Sequence, residues 1–148
     1  RAEDLLLVMG KRVWRIGEDP EQANLVKLCL NYNLIHTMQA LAESLNLAER
    51  NGIDGQTVVD ILTDTAYTGT AYVGYGAAIA AKTYDPPAFS VELGLKDLTL
   101  VQQAASDAGA ALPTAPILEQ IFREALDDPA LSRLDWSAMA EITRRAEV

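Results

Sequence analysis

One stretch constrains this chain more than any other. From Asp19 to Arg50 no residue breaks a helix except the proline at its start. Asp19 is placed as N-cap, Pro20 as the first helical residue and Gln22 as the far side of a capping box. The stop signal is Asn51-Gly52. Residues 20–50 are therefore predicted as one helix of roughly 45 Å at 1.5 Å per residue. Between Leu28 and Ala42 it carries no formal charge if His36 is neutral. A helix apolar nearly all round in its middle has to be covered by other helices, so it should be the buried centre of the fold.

The rest of the chain supplies those helices. Glu3 to Met9 reads as a short helix ended by Gly10. Asp54 caps a helix through residue 62, and residues 71–82 form another, weakened by Gly74 and Gly76. Asp85-Pro86-Pro87 is a loop, because proline cannot continue a helix. Ser90 caps residues 91–107, Pro113 to Pro116 opens a helix to about residue 126, and Asp135 caps the last one, 136–145. Residues 13–16, Val-Trp-Arg-Ile, alternate apolar and polar and read as one short strand. A lone strand is not stable, so its sheet is expected upstream; an irregular arm is the alternative. The fold class is all-α, a bundle of six or so helices around one long central helix. The organisation changes near residue 18: segment 1–18 differs in kind from the helical domain 19–148.

Several function classes are excluded early. The net charge of -9 argues against nucleic acid and against anionic lipid surfaces. One cysteine, Cys29, and one histidine leave too few ligands for an ordinary metal site, so no metal is expected. No run is long and apolar enough to span a bilayer. Nothing points to an oxidising compartment, and a cytoplasmic location is expected.

The candidate chemistry lies at the mouth of the long helix, in Asn24-Leu-Val-Lys27-Leu-Cys-Leu-Asn31. With Lys27 as origin and about 100° per residue, Asn31 falls near 40°, Leu34 near -20°, Met38 near 20° and Leu45 near 0°. Lys27 and Asn31 thus lie on the stripe that becomes buried further along. His36, near 180°, is on the opposite face and cannot pair with Lys27; it reads as a hydrogen-bonded core residue. A partly buried lysine is usable as a general acid or base, and Asn31 can orient it or hold a substrate. Spacing leaves a second reading open, in which Lys27 snorkels and Asn31 bonds a neighbouring helix. The second candidate is Phe89-Ser90 followed by Lys96-Asp97-Leu98, with Lys96 on the wheel beside Leu93 and Leu100. Tyr67, Tyr72, Tyr75 and Tyr84 cluster near a Thr/Gly-rich turn and read as packing residues, with the lining of a pocket as the alternative. Gly74-Tyr75-Gly76 lacks a third glycine and a preceding strand, so it is no dinucleotide fingerprint.

Taken in order, these elements resemble the β-hydroxyacid dehydrogenases, the 3-hydroxyisobutyrate dehydrogenase and tartronate semialdehyde reductase types related to 6-phosphogluconate dehydrogenase. The resemblance rests on the helix with Lys27 and Asn31, residues 42–49 (Ala-Glu-Ser-Leu-Asn-Leu-Ala-Glu), Asn51-Gly-Ile-Asp54, Phe89, Lys96-Asp97-Leu98 and Leu112-Pro113. It implies the helical substrate-binding and dimerisation half of an NAD- or NADP-dependent oxidoreductase acting on a small β-hydroxyacid. It implies Lys27 as catalytic acid/base, Asn31 and Phe89 at the substrate, Lys96 at the cofactor, and Asn24 and Asp97 in support. It implies a homodimer formed through the long helix. In that family a Rossmann nucleotide-binding half and a serine-glycine substrate loop precede this region, which makes segment 1–18, short helix and strand, a remnant of the nucleotide-binding half and the chain alone inactive. Ala23 stands where the family commonly has glycine. A non-enzymatic helical dimerisation module is the alternative function.

Overall fold

The computed structural model describes residues 2–146, so position 1 of segment 1–18 and positions 147 and 148 of segment 19–148 lie outside the described residues. Among the described residues seven α-helices follow one another: α1 (Ala2–Met9), α2 (Pro20–Arg50), α3 (Gly55–Thr65), α4 (Thr70–Ala81), α5 (Val91–Ala108), α6 (Ala115–Asp127) and α7 (Ala140–Arg145), with a 3-10 turn, Trp136–Met139, running into α7. The all-α architecture is the one the helical periodicity demands.

The long helix is where its caps put it. The Asp19 carboxylate accepts from the Glu21 amide at 2.9 Å, and Asn51 closes the far end. The predicted capping box is incomplete: Gln22 returns no side-chain bond to Asp19 among the described residues. Helix α2 packs on α3, α4, α5 and α7. Its buried residues are Ile35, Met38, Leu41, Ala42 and Leu45, the 3-4 spacing of one face. Burying each large aliphatic side chain contributes about 1.5–3 kcal/mol, so this stripe organises the core with Ile79, Leu98, Phe122 and Met139 around it. The burial does not extend all round or all along: Leu25, Val26 and Leu30 in the first half of α2 are exposed. Only the second half is the central helix of a bundle.

The strand expected at 13–16 is not present. Residues 12–17 have no regular structure, and the described residues contain no strand, only an isolated bridge between Ser90 and Asp135. Alternation is half of what a strand needs; the other half is a neighbour to receive its N–H and C=O groups, and none lies beside this segment. Local side-chain contacts fix the arm instead. The Arg12 guanidinium lies 4.0 Å from the centre of the Trp14 ring, and Arg15 pairs with Glu3 at 2.9 Å.

Two glycines mark close helix contacts. A Cβ on Gly76 would stand 2.9 Å from Val59, where α4 meets α3. A Cβ on Gly94 would stand 2.7 Å from the Phe122 ring, where α5 crosses α6. Glycine in α4 thus costs helix propensity but permits the packing. On the other side of α2, Arg144 of α7 bonds Glu49, Glu141, the Tyr84 hydroxyl and the Ile79 carbonyl. This buried guanidinium ties α7 to α2 and α4.

Candidate active site

Helices α2 and α5 run side by side, and their contact brings three polar side chains to one point. The Lys27 ammonium forms an ion pair with the Asp97 carboxylate. Asn31, one turn along α2, donates from Nδ2 to Asp97 Oδ2 at 2.6 Å. A single carboxylate oxygen therefore receives both groups. The side chain of Asp97 is 4% exposed, that of Lys27 52%. The carboxylate is fixed inside the helix contact, while the lysine spans from it toward solvent.

This arrangement corrects part of the sequence reading. Lys27 is less buried than its place on the apolar stripe implied, because the first half of α2 projects beyond the bundle. What holds Lys27 is a carboxylate rather than apolar surroundings. Asp97 lies on a different face of α5 from Lys96. The buried face of α5 runs through Val91, Gly94, Asp97, Leu98 and Val101, and Leu93 and Leu100, the wheel companions of Lys96, are 41% and 43% exposed. Lys96 is exposed and makes no ion pair among the described residues. Asn24, exposed on the first turns of α2, borders a shallow groove with Asp19, Gln22 and Asp107.

Phe89 stands apart from the trio, about two turns before Asp97 at the start of α5. It is half-buried, with its ring edge-on to Trp136 at 4.8 Å between centroids. Asp135 holds it there. Asp135 Oδ2 accepts from the amides of Ala88 and Phe89 at 3.1 and 3.2 Å. Oδ1 accepts from the Ser137 amide and hydroxyl at 3.0 and 2.7 Å. The Trp136 amide donates to the Phe89 carbonyl at 2.7 Å. The sequence marked Asp135 only as a helix cap. Its second function, clamping a loop 46 positions earlier, leaves no local signal.

The tyrosines divide by position. Tyr67 and Tyr72 stack on each other at 4.3 Å. Tyr75 and Tyr84 also line a cavity of about 450 Å3 between α2, α4 and the 83–88 loop. The Tyr75 hydroxyl accepts from Trp136 Nε1 at 2.9 Å, and desolvation raises its pKa. Burial and the bond to Glu141 push the Tyr84 hydroxyl well above the usual tyrosine range. His36 bonds Thr114 and the Tyr32 carbonyl, both at 2.8 Å; it is hydrogen-bonded as expected but only half-buried, outside the core. The described residues contain no cluster of His, Cys, Asp and Glu able to hold a metal ion, and no helix long and apolar enough to cross a membrane.

The helical domain thus sets a half-exposed lysine against a buried carboxylate, with an amide one turn on, near the N-terminal end of the long helix. Residues 22–143 match the family described as "NAD-binding of NADP-dependent 3-hydroxyisobutyrate dehydrogenase", and the chain belongs to that family. It is 31% identical to glyoxylate/succinic semialdehyde reductase 1 of Arabidopsis thaliana over 93% of this chain and 46% of that protein. Among solved structures it is similar to 3-hydroxyisobutyrate dehydrogenase from Salmonella typhimurium, with TM-score 0.79 and 27% identity over 88% of this chain and 45% of the other. It is also similar to the Mycobacterium tuberculosis 3-hydroxyisobutyrate dehydrogenase solved with L-serine, with TM-score 0.70 and 30% identity over 84% and 43%. The chain spans about half the length of the curated relatives it matches.

Proposed function

We propose that this chain is the C-terminal, substrate-binding half of an NAD(P)-dependent oxidoreductase that interconverts a small β-hydroxyacid and its carbonyl form. The convergence of Lys27 and Asn31 on one buried carboxylate is the observation that carries the reading. In oxidation Lys27, as the neutral amine, takes the hydroxyl proton as the carbinol hydride leaves; in reduction the resulting ammonium returns that proton. Asp97 holds the ammonium within reach of one point, and Asn31, fixed by the same oxygen, presents its remaining amide capacity to the substrate. Bound NAD(P) supplies the hydride acceptor, as in other nicotinamide chemistry.

The family description refers to NAD binding, yet the described residues offer no glycine-rich phosphate loop. They offer Lys96, an exposed cation one residue from Asp97, which suits one edge of a dinucleotide. We assign the rest of the cofactor contacts to an upstream nucleotide-binding half. Exposed apolar residues on α1 and the following arm (Leu5, Val8, Met9, Trp14) support a covering domain there. On this reading segment 1–18 is the joint between the halves, domain 19–148 is the helical half, and the isolated chain does not turn over. The test is to join the chain to its upstream half and follow NAD(P)H formation with a panel of β-hydroxyacids. Formation with at least one supports the reading, and formation with none refutes it.

A second reading has its own observation. Leu25, Val26 and Leu30 are exposed in the projecting half of α2, beside a largely apolar groove of about 290 Å3 lined by Leu28, Val101 and Ala104 among others. A second copy of the chain is the occupant we propose for this surface, giving a homodimer through the long helix. Light scattering decides it: a monomer at micromolar concentration contradicts the dimer and leaves the enzymatic reading standing.

A further inference from the structure

Two carboxylates are buried among the described residues, Asp97 at 3% and Asp135 at 9% exposed, and only one of them has a counter-ion. Asp97 has Lys27. Asp135 accepts four hydrogen bonds, from the amides of Ala88, Phe89 and Ser137 and from the Ser137 hydroxyl. All four donors are neutral, and Asp135 makes no ion pair among the described residues. A buried charge is ordinarily paired with its opposite, so this one has an unfilled requirement.

Asp135 stands on the wall of the cavity of about 450 Å3, and no Lys, Arg or His lines that space. Desolvation raises the pKa of the Tyr75 hydroxyl on the same wall, and the Asp135 charge raises it further against the opposing bond from Trp136. The field of the carboxylate therefore reaches the lining. Arg144 bonds the Tyr84 hydroxyl, but two carboxylates, Glu49 and Glu141, face its guanidinium, so that group adds no net positive charge. The cavity is open to solvent on one side, and its volume is that of a small-ligand site. A cation entering it would meet uncompensated negative charge.

The rest of the wall says which kind of cation. The four lone-pair positions of Asp135 are taken, so a primary ammonium with three N–H donors would find charge there but no acceptor. A fully methylated ammonium carries the charge and has no donor to satisfy. Its methyl groups suit Leu34, Ala71, Ala78 and Pro86, and the rings of Tyr75 and Tyr84 on the same wall are of the type that attracts quaternary ammonium ions. We propose that this cavity is a binding site for a small quaternary ammonium ion. None of Lys27, Asn31 and Asp97 lines it, so the site is separate from the proposed proton-transfer group and does not rest on the hydroxyacid reading.

The test is a calorimetric titration of the polypeptide that joins this chain to its upstream half, with choline and with 3,3-dimethylbutan-1-ol, the uncharged isostere of choline. Choline is expected to bind at one site, roughly tenfold or more tighter than the alcohol. Equal affinities overturn the proposal, and so does an absence of choline binding at millimolar concentration. Two variants then locate the ion. Gly74 lines the cavity, and a Cβ there would meet nothing within 4 Å. Gly74→Lys and Gly74→Glu thus add side chains of similar reach and opposite charge at one backbone position. The glutamate variant should bind choline roughly tenfold or more tighter than the lysine variant. Equal affinity in the two places the ion elsewhere and overturns the assignment. The unmodified protein alone decides between the charged and the uncharged probe, so that answer does not depend on the folding of a variant.

Discussion

Asp97 and Lys27 are 70 positions apart in sequence and paired in space, and the two ends of the pair are in different environments. The carboxylate is enclosed between α2 and α5, while the ammonium side chain is half exposed. Removing one partner or the other therefore has unequal consequences.

Lys27→Met leaves a buried carboxylate with Asn31 as its remaining side-chain donor, at a cost of about 1–3 kcal/mol. Asp97→Asn releases the ammonium into water and costs less, about 1 kcal/mol or below. Urea unfolding midpoints at neutral pH measure both. Equal losses, or a greater loss in Asp97→Asn, would show that the carboxylate is not enclosed as described.

Asp135→Ala removes the clamp on the loop that carries Phe89 together with the cap of the 3-10 turn. The expected loss is about 1–3 kcal/mol, from four hydrogen bonds of which three are from backbone amides. In the joined enzyme KM for the hydroxyacid should rise more than kcat falls if Phe89 has the substrate-binding role proposed for it, since its side chain carries no proton to transfer. A fall in kcat alone would contradict that assignment.

Gly94→Ala tests the contact of α5 with α6. The added methyl would meet Phe122 ring atoms at 2.7 and 3.0 Å and Trp136 Cβ at 3.2 Å. Neither neighbour is free to move, since Phe122 and Trp136 are both buried. Overpacking of about 1–3 kcal/mol outweighs the gain of under about 1 kcal/mol in helix propensity. A stabilised variant in a thermal melt would mean that this crossing is looser than described.

Tyr84 gives a pH dependence. Burial and the bond to Glu141 raise its pKa above the ordinary 10.0, so the folded state keeps a proton that the unfolded chain gives up. The stability this provides is complete below pH 10, where both states are protonated. It is lost as pH rises from there through the folded value. Tyr84→Phe should cost about 1–2 kcal/mol at neutral pH, from the hydrogen bond to Glu141, and should flatten the decline above pH 10. An unchanged alkaline slope in the variant would place the decline elsewhere.

How far the sequence foretells this molecule depends on whether a feature is local. Helix α2 is legible to the residue, because Asp19, Pro20 and Asn51 act within a turn of where they stand. The stripe of Met38 and Leu45 is legible because its period is the helix's own. Residues 13–16 mislead because a strand depends on a partner, and periodicity says nothing of partners. Lys96 and Asp97 show the same limit more finely. A wheel through Leu93 and Leu100 is a true face of α5, but Gly94, Leu98 and Val101 mark the deeper one, and only the packing of α2 against it decides. That deeper face puts Asp97 on the Lys27 side. Lys27 itself shows a limit of pattern reading, since its stripe is buried only where other helices reach it. Asp135 and the cavity beside Tyr75 depend on contacts between distant segments, for which neither composition nor spacing has a sign.

Lys27 is the proposed proton-transfer group, and the chemistry proposed for the site depends on it. The decisive measurement is kcat/KM for hydroxyacid oxidation by the joined enzyme with Lys27→Ala, beside the unmodified protein. A loss of about a hundredfold or more is expected, in line with a general acid/base. Activity retained within about tenfold, a barrier change of only about 1.4 kcal/mol, would contradict the account and leave Lys27 as the surface end of a structural ion pair.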